Sequence, residues 1–523
     1  MSFGWKTSVW ILGGGVLAIV VSLIATSIII SRRARVWAED WLSHEFNSKV
    51  EMSAFRVSIP FPTVKCQGEN LELQFQGRQD LPPLLSVRRF TIVTSLRGLL
   101  RNPRRIQYVE LDGLQMNVPP REEGNRGAAT RNLARKFTGV RFDEIHSENA
   151  TLRILTRNPE KDPLEFGIRH LYLNSHGVDG ALDFHATLFN PKPPGDISSD
   201  GTFGPWNNET PSLTPVSGRY DFANADLSVF PGIAGTLTSN GTFQGVIEQI
   251  NIDGTTNTPD FRVTRAGHPL DLSTSFHATV DGTDGDTYLQ PVEAHFGSTI
   301  LSAHGSIAGA KGMKGKTITL ELSGSRARIE DLLLLAVKES PAMTGPIQLK
   351  TKFILTPGPE QIPERLNLNG SFEMNSVHFT RSAVQQKFDN LSKRGQGKPK
   401  EVVNPEEADS ADDVASKMNG TFQLAHGILS LSEVHFVIPG VEVLLAGTYA
   451  LNPETLDLHG SLRMQARLSQ TTTGFRSFLL KLADPFFSKQ GNGALVPIKI
   501  SGSAQHPVYG LDLGHKSEAS SRK

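Results

Sequence analysis

The sequence predicts a mainly β protein: a single N-terminal transmembrane helix, then an elongated, repetitive antiparallel sheet with a few short helices. Three observations carry this prediction. One uncharged apolar run lies near the start. Two-residue alternation of apolar and polar side chains recurs along most of the remainder, and helical periodicity surfaces only in short windows.

No charged side chain lies between Lys6 and Arg32, and Val9 to Ile30 is apolar apart from Ser, Thr and Gly. At ~1.5 Å per residue this run reaches about 33 Å, enough to cross a hydrocarbon core of about 30 Å. A cleaved signal peptide has a shorter apolar region that ends in small residues. Here the run ends in Ile28-Ile29-Ile30, followed by Ser31-Arg32-Arg33, so an uncleaved span over 9–30 is expected behind a tail of residues 1–8. Trp5 and Trp10 fall at one membrane interface, and Arg32 and Arg33 at the other. Taken alone, these arginines place the body in the cytoplasm, but long domains translocate largely regardless of charge.

Residues 31–48 read as an amphipathic stalk helix. Ala34, Ala38, Leu42 and Phe46 step by four, with Trp37 and Trp41 beside them. After Val50 the period changes to two: Leu71, Leu73, Phe75; then Leu114, Met116, Val118; then Leu182, Phe184, Ala186, Leu188. The same alternation returns at Ile318 to Leu322, Ile347 to Phe353, Val441 to Leu445 and Ile498 to Ile500. The body is expected to run over 49–380, followed by a short helix and polar linker over 381–416. A second β region spans 417–513, with a helix at 473–487, and a tail covers 514–523.

Asp112-Gly113, Asn240-Gly241, Asn369-Gly370 and Asn419-Gly420 are expected at hairpin turns, which favour these pairs. The proline-rich stretch 190–215 is expected to be a loop. Gly201-Thr202-Phe203, Gly241-Thr242-Phe243, Gly370-Ser371-Phe372 and Gly420-Thr421-Phe422 recur as the expected starts of strands, at irregular spacing. Short helices are expected at Ile329 to Val337, around Val384, Phe388 and Leu391, and around Phe475, Leu479, Leu482 and Phe486.

The chain carries 53 basic and 53 acidic residues, so it has no net field to attract nucleic acid. Its one cysteine, Cys66, excludes an internal disulfide framework. No metal-ligand spacing joins its histidines, and no nucleophile elbow, P-loop or dinucleotide fingerprint occurs, so neither enzymatic activity nor a cofactor is expected. The acidic run Asp281 to Asp286 lacks the rest of a calcium loop and reads as a tight turn. Three short helices cannot cover so much half-apolar sheet. Either the strands close into sandwiches or barrels, or the apolar face lines a groove filled by something else.

Several motifs behind the apolar run, in this order, resemble the AsmA family of bacterial envelope proteins, which is TamB-related. Near the N-terminus they are Trp41-Leu42-Ser43-His44-Glu45-Phe46, Val50-Glu51-Met52, Leu71-Glu72-Leu73 and Val109-Glu110-Leu111-Asp112-Gly113-Leu114. Toward the C-terminus they are Gly420-Thr421-Phe422, Gly447-Thr448-Tyr449, Leu456-Asp457-Leu458-His459-Gly460 and Val496-Pro497-Ile498-Lys499-Ile500-Ser501-Gly502.

The resemblance implies a single-pass inner-membrane protein with its body in the periplasm. It implies a sheet curled into a groove, and a role in outer-membrane homeostasis that moves phospholipid or another acyl lipid between the membranes. On that expectation Leu71, Leu73, Phe75, Leu114, Met116, Leu182, Phe184, Leu188 and Phe276 are candidate lipid contacts. Phe475, Leu479, Leu482 and Phe486 would cap the groove or rest on a membrane surface. A scaffold that holds an envelope protein partner during outer-membrane protein assembly is the alternative expectation.

Overall fold

The computed structural model describes residues 33–44, 49–60, 62–74, 80–101, 104–119, 140–155, 163–176, 180–207, 210–309, 315–398, 414–465, 494–503 and 506–512. The expected membrane span with Trp5, Trp10 and Arg32 lies outside these residues. So do Phe75, the expected helix with Phe475, Leu479, Leu482 and Phe486, most of the polar linker and the tail. Among the described residues no helix is long and apolar enough to cross a membrane.

The chain forms two compact units, each built on a mainly β, unclosed sheet. The first holds residues up to Ala225 together with Ser239–Asp253 and Thr279–Gly285. It begins with helix α1 (33–44) and continues through β1 (Val50–Glu51), β2 (Ala54–Ser58), β3 (Thr63–Leu73) and β4 (Leu85–Ser95). A single turn, α2 (Leu96–Leu99), leads to β5 (Arg104–Val118), β6 (Val140–Ile154), β7 (Leu164–His176), β8 (Ala181–Pro191), β9 (Pro194–Phe203) and β10 (Pro215–Asp226).

From β3 to β10 each strand pairs with the next, antiparallel except for β5 and β6, which run parallel. That exception corrects the expectation of an antiparallel meander throughout. Parallel neighbours need a crossover of a dozen or more residues, and residues 119–139 supply the length. Strand β9 also lies inside the stretch expected to be a loop, because the chain turns back at once through Lys192-Pro193 and pairs β9 with β8.

The second unit contains Asp226–Thr238, Gly254–Ala278 and the chain from Asp286 onward. Its main run comprises β15 (Thr287–Phe296), β16 (Thr299–Gly309), β17 (Lys316–Arg328), β19 (Pro346–Leu355), β20 (Leu366–Phe379), β21 (Ser416–Ala425), β22 (Ile428–Ile438), β23 (Val441–Leu451), β24 (Glu454–Met464), β25 (Ala494–Ser503) and β26 (Pro507–Leu511). These pair antiparallel in that order. Shorter β11 (Ile233–Ala234) and β18 (Met343–Thr344) also belong here, whereas the long strands β12 (Thr236–Val246), β13 (Gln249–Val263) and β14 (Leu270–Val280) are each divided between the two units. Helices α3 (Ile329–Ala336) and α5 (Ser382–Gly395) form where helical periodicity predicts them, and a single turn, α4 (Ile362–Arg365), precedes β20.

The four expected turn pairs are not turns. Asp112-Gly113 lies within β5, Asn240-Gly241 within β12, Asn369-Gly370 within β20 and Asn419-Gly420 within β21. The Gly-x-Phe repeats likewise lie inside strands or end them, and their role is cross-strand packing. Gly370 stands opposite Phe422, and Phe372 opposite Gly420, so each ring lies over the partner strand's bare backbone. A Cβ on Gly370 would meet the Phe422 ring at 2.8 Å and the Lys350 carbonyl at 2.4 Å. The same arrangement sets Phe90 over Gly68. A real hairpin turn joins β21 to β22 at His426-Gly427, where φ is 50° and 70°, the left-handed pair that a two-residue type I′ turn requires. At Asp281 to Asp286 the chain makes the expected tight turn, with the Asp281 carboxylate accepting from Thr283 N–H at 2.8 Å.

A crease crosses the first sheet. Asn70, Gly113 and Asn149 have φ of 51°, 68° and 55°, and each drops out of the strand register beside Arg88 and Arg169. On either side of this line the inward phase changes parity: Leu71 and Leu73 face the core on one side, Val64 and Gly68 on the other. An extra residue or a left-handed kink has this effect on a strand whose side-chain period is two.

Candidate functional site

One face of the first sheet is apolar. Across β3, β4 and β5 the register aligns Leu71, Val87 and Leu114; across β6 to β10 it aligns Ala150, Ile168, Leu188, Ile197 and Phe222. Leu73 is 7% exposed and Leu114 4%, and both belong to a cluster with Val87, Phe90 and Ile168. Leu71, Met116 and Leu188 are half-buried against it, so five of the candidate lipid contacts share one packed surface.

Leu182 and Phe184 lie on the same face of β8 as Leu188 and stay half-buried. Phe276 is half-buried on β14 and stands apart from this cluster. Among the described residues, the cluster takes only Ala38 and Leu42 from a helix. Helix α1 thus packs on the sheet. It is tied down by Val50 N–H donating to Ser43 Oγ at 3.0 Å and Met52 N–H to Glu39 Oε1 at 3.1 Å. Arg33, at its start, is exposed and lines a shallow surface concavity with Val36, Trp37 and Asp40.

The second unit repeats the pattern at greater length. Leu320, Phe353, Leu368, Leu424, Leu429, Tyr449 and Leu456 form one unbroken row across seven strands. All but Leu424 are only half-buried. Full burial is reached nearer the helices. Under α3, Ile329 and Leu332 pack on Ala327, Ile347, Met374 and Val377. Under α5, Phe388 and Leu391 pack on Phe436, Ile438, Val441 and Met464, with Phe388 stacked on Phe379 at 4.4 Å. The candidate contacts read from the sequence miss this row. Its signal was present in the alternation at Ile318 to Leu322 and Ile347 to Phe353, but only strand register shows that these positions join.

The opposite face of the first sheet is polar. Its central row runs Gln67, Thr91, Glu110, His146, Tyr172, His185, Asp200 and Arg219. His146 sits between two tyrosine rings, 5.0 Å from Tyr108 and 4.7 Å from Tyr172. His185 Nδ1 is 2.8 Å from Asp200, whose carboxyl this contact holds below the usual carboxylate range. Burial, then the Glu110 and Glu144 charges, pushes the Tyr108 phenol up.

A concavity of about 650 Å³ opens on this face between Arg56, Tyr108, Glu110, His146, Glu148 and Tyr172. No nucleophile here is paired with a buried base. Among the described residues, no group of three or more His, Cys, Asp or Glu side chains could hold a metal ion.

The fold and these surfaces define a class: a mainly β protein whose unclosed sheet keeps long half-buried apolar rows. No family model matches the chain, and no curated protein matches it.

Proposed function

We propose that this is a membrane-anchored, AsmA-like protein of the bacterial cell envelope. In this reading the apolar sheet face holds the acyl chains of phospholipid and passes them between the inner and outer membranes. The row from Leu320 to Leu456 carries the proposal. It crosses seven strands with the Tyr449 hydroxyl as its one polar group, yet six of its seven side chains, all but Leu424, stay partly exposed.

Fully burying a Leu or Phe side chain is worth ~1.5–3 kcal/mol, so covering the exposed third or less of each one yields roughly 0.5 kcal/mol. A soluble protein leaves such a row open at a cost unless an apolar ligand covers it. Acyl chains match the requirement, because each methylene they bury contributes about 0.8 kcal/mol without any directional contact.

The body is placed in the periplasm, on the far side of the predicted span at 9–30. Full-length protein purified in mild detergent and measured by native mass spectrometry is expected to carry phospholipid. It should accelerate exchange of labelled phospholipid between donor and acceptor vesicles. Lipid-free protein that leaves exchange at the spontaneous rate refutes the reading. Protease added to intact spheroplasts is expected to digest the body, and a protected body contradicts the periplasmic placement.

A further inference from the structure

Exposed apolar side chains gather at one end of the first strands. Thr63 at the start of β3 pairs with Ser95 at the end of β4, and Leu96 N–H donates to the Pro62 carbonyl at 3.3 Å. The β2–β3 tip and α2 are therefore neighbours. There Leu100 is 87% exposed and Ile59 60%, with Leu96 and Leu99 each more than a third exposed.

The charge around them is mainly positive, with Asp143 of β6 held by Arg105 at 2.7 Å. No acidic residue occurs in residues 52–68 or 81–109, which carry Arg97 and Arg101 in and just after α2 and Arg104 at the start of β5. This end also adjoins the helix that follows the predicted membrane span. The Arg104 guanidinium lies 5.4 Å over the Trp41 ring of α1, and Trp41 stacks at 6.3 Å on Trp37, itself 62% exposed.

We propose that this tip docks on an anionic phospholipid surface. Leu100 and Ile59 enter the headgroup–acyl boundary, while Arg97 and Arg101 pair with phosphates. Apolar side chains backed by arginines are the composition that binds such interfaces, by apolar burial added to electrostatic attraction. Charge selects the occupant: a second copy of this chain would bring like charge against like, whereas anionic headgroups neutralise it. The proposal concerns the outer surface of the unit and stands whether or not the apolar rows carry lipid.

The test uses the full-length chain with Cys66→Ser and a spin label on Leu100→Cys, reconstituted in vesicles of phosphatidylcholine with or without phosphatidylglycerol. On anionic vesicles the label is expected to become accessible to oxygen and shielded from a water-soluble nickel complex. High salt should reverse this, and a label at Phe189, exposed at the opposite end of the same unit's strands, should stay in water. Each arginine near an anionic surface is worth roughly fivefold in partitioning, so Arg97→Glu with Arg101→Glu should weaken docking by at least about 30-fold. The salt reversal tests the same charges in the unsubstituted tip should that variant fail to fold. A Leu100 label that remains nickel-accessible on anionic vesicles overturns the proposal. So does one already shielded in lipid-free amphipol, the mark of a second copy, or one equally shielded on phosphatidylcholine alone.

Discussion

Single residues set the face of this sheet more than composition does. Asn70, Gly113 and Asn149 take left-handed φ in neighbouring strands and switch which side chains point to the core. A Cβ at Gly113 would meet Arg88 Cβ at 3.0 Å and be strained by its φ of 68°. Asp112 beside it accepts from Arg88 at 2.7 Å and from Arg89 at 2.6 Å, and these contacts hold its carboxyl below the usual range. A depressed carboxylate stabilises the fold above its unfolded value of about 3.9, and that contribution disappears as pH falls through the folded value. Asp112→Asn should therefore lower the urea midpoint at neutral pH, with the gap from wild type closing below about pH 4. A gap that persists at pH 2 would contradict the ion-pair account. Because the pair is exposed, added salt should shrink the effect.

Gly370 and Gly420 make a second case. Gly370→Ala drives a methyl into the Phe422 ring and the Lys350 carbonyl, and overpacking of this kind costs about 1–3 kcal/mol, read as a shift in denaturant midpoint. If these glycines were surface turn residues, the same change would be close to neutral.

At the scale of elements, α1, α3 and α5 each put apolar side chains on the sheet, and the fully buried clusters include residues beneath them. Helix α5 is held at both ends of its excursion. Gln385 accepts from Phe379 N–H at 2.8 Å and donates to the Val414 carbonyl at 3.1 Å, and Asp389 accepts from Val414 N–H at 3.0 Å. Phe388→Ala, which removes the ring stacked on Phe379 and packed on Phe436, should cost about 3 kcal/mol and be visible in thermal unfolding.

These helices were legible because period 3.6 is a local property, and Leu332, Phe388 and Leu391 display it within a dozen residues. Strand existence was equally legible from period two. Three things were not. The parallel β5–β6 pair depends on where the chain returns after residues 119–139, which alternation does not encode. The Asn-Gly pairs carry the same chemistry in a turn as within a strand, and only the partner strand tells them apart. The row from Leu320 to Leu456 is a product of register, assembled from residues scattered over seven segments.

At the scale of each whole sheet, the decisive feature is that one face is apolar, the other polar, and neither sheet closes. Closure would have buried the rows that now stay half-exposed, and the alternation alone had left a closed sandwich open as a solution. Leu429→Lys places a charge in the middle of the row at a partly exposed position, from which the long side chain can carry its ammonium to water. Bound phospholipid is expected to drop several-fold while the melting temperature changes by a few degrees at most. Unchanged lipid content in that variant would move the binding surface elsewhere.

The most direct measurement compares the two faces of one hairpin. A photoreactive residue is placed at Leu429, inside the row, or at Gln423, exposed on the opposite face of β21, and the full-length protein is irradiated in cells. A phospholipid adduct at Leu429 and none at Gln423 is the predicted result. Equal labelling of both positions, or none at Leu429, would contradict an acyl-binding face.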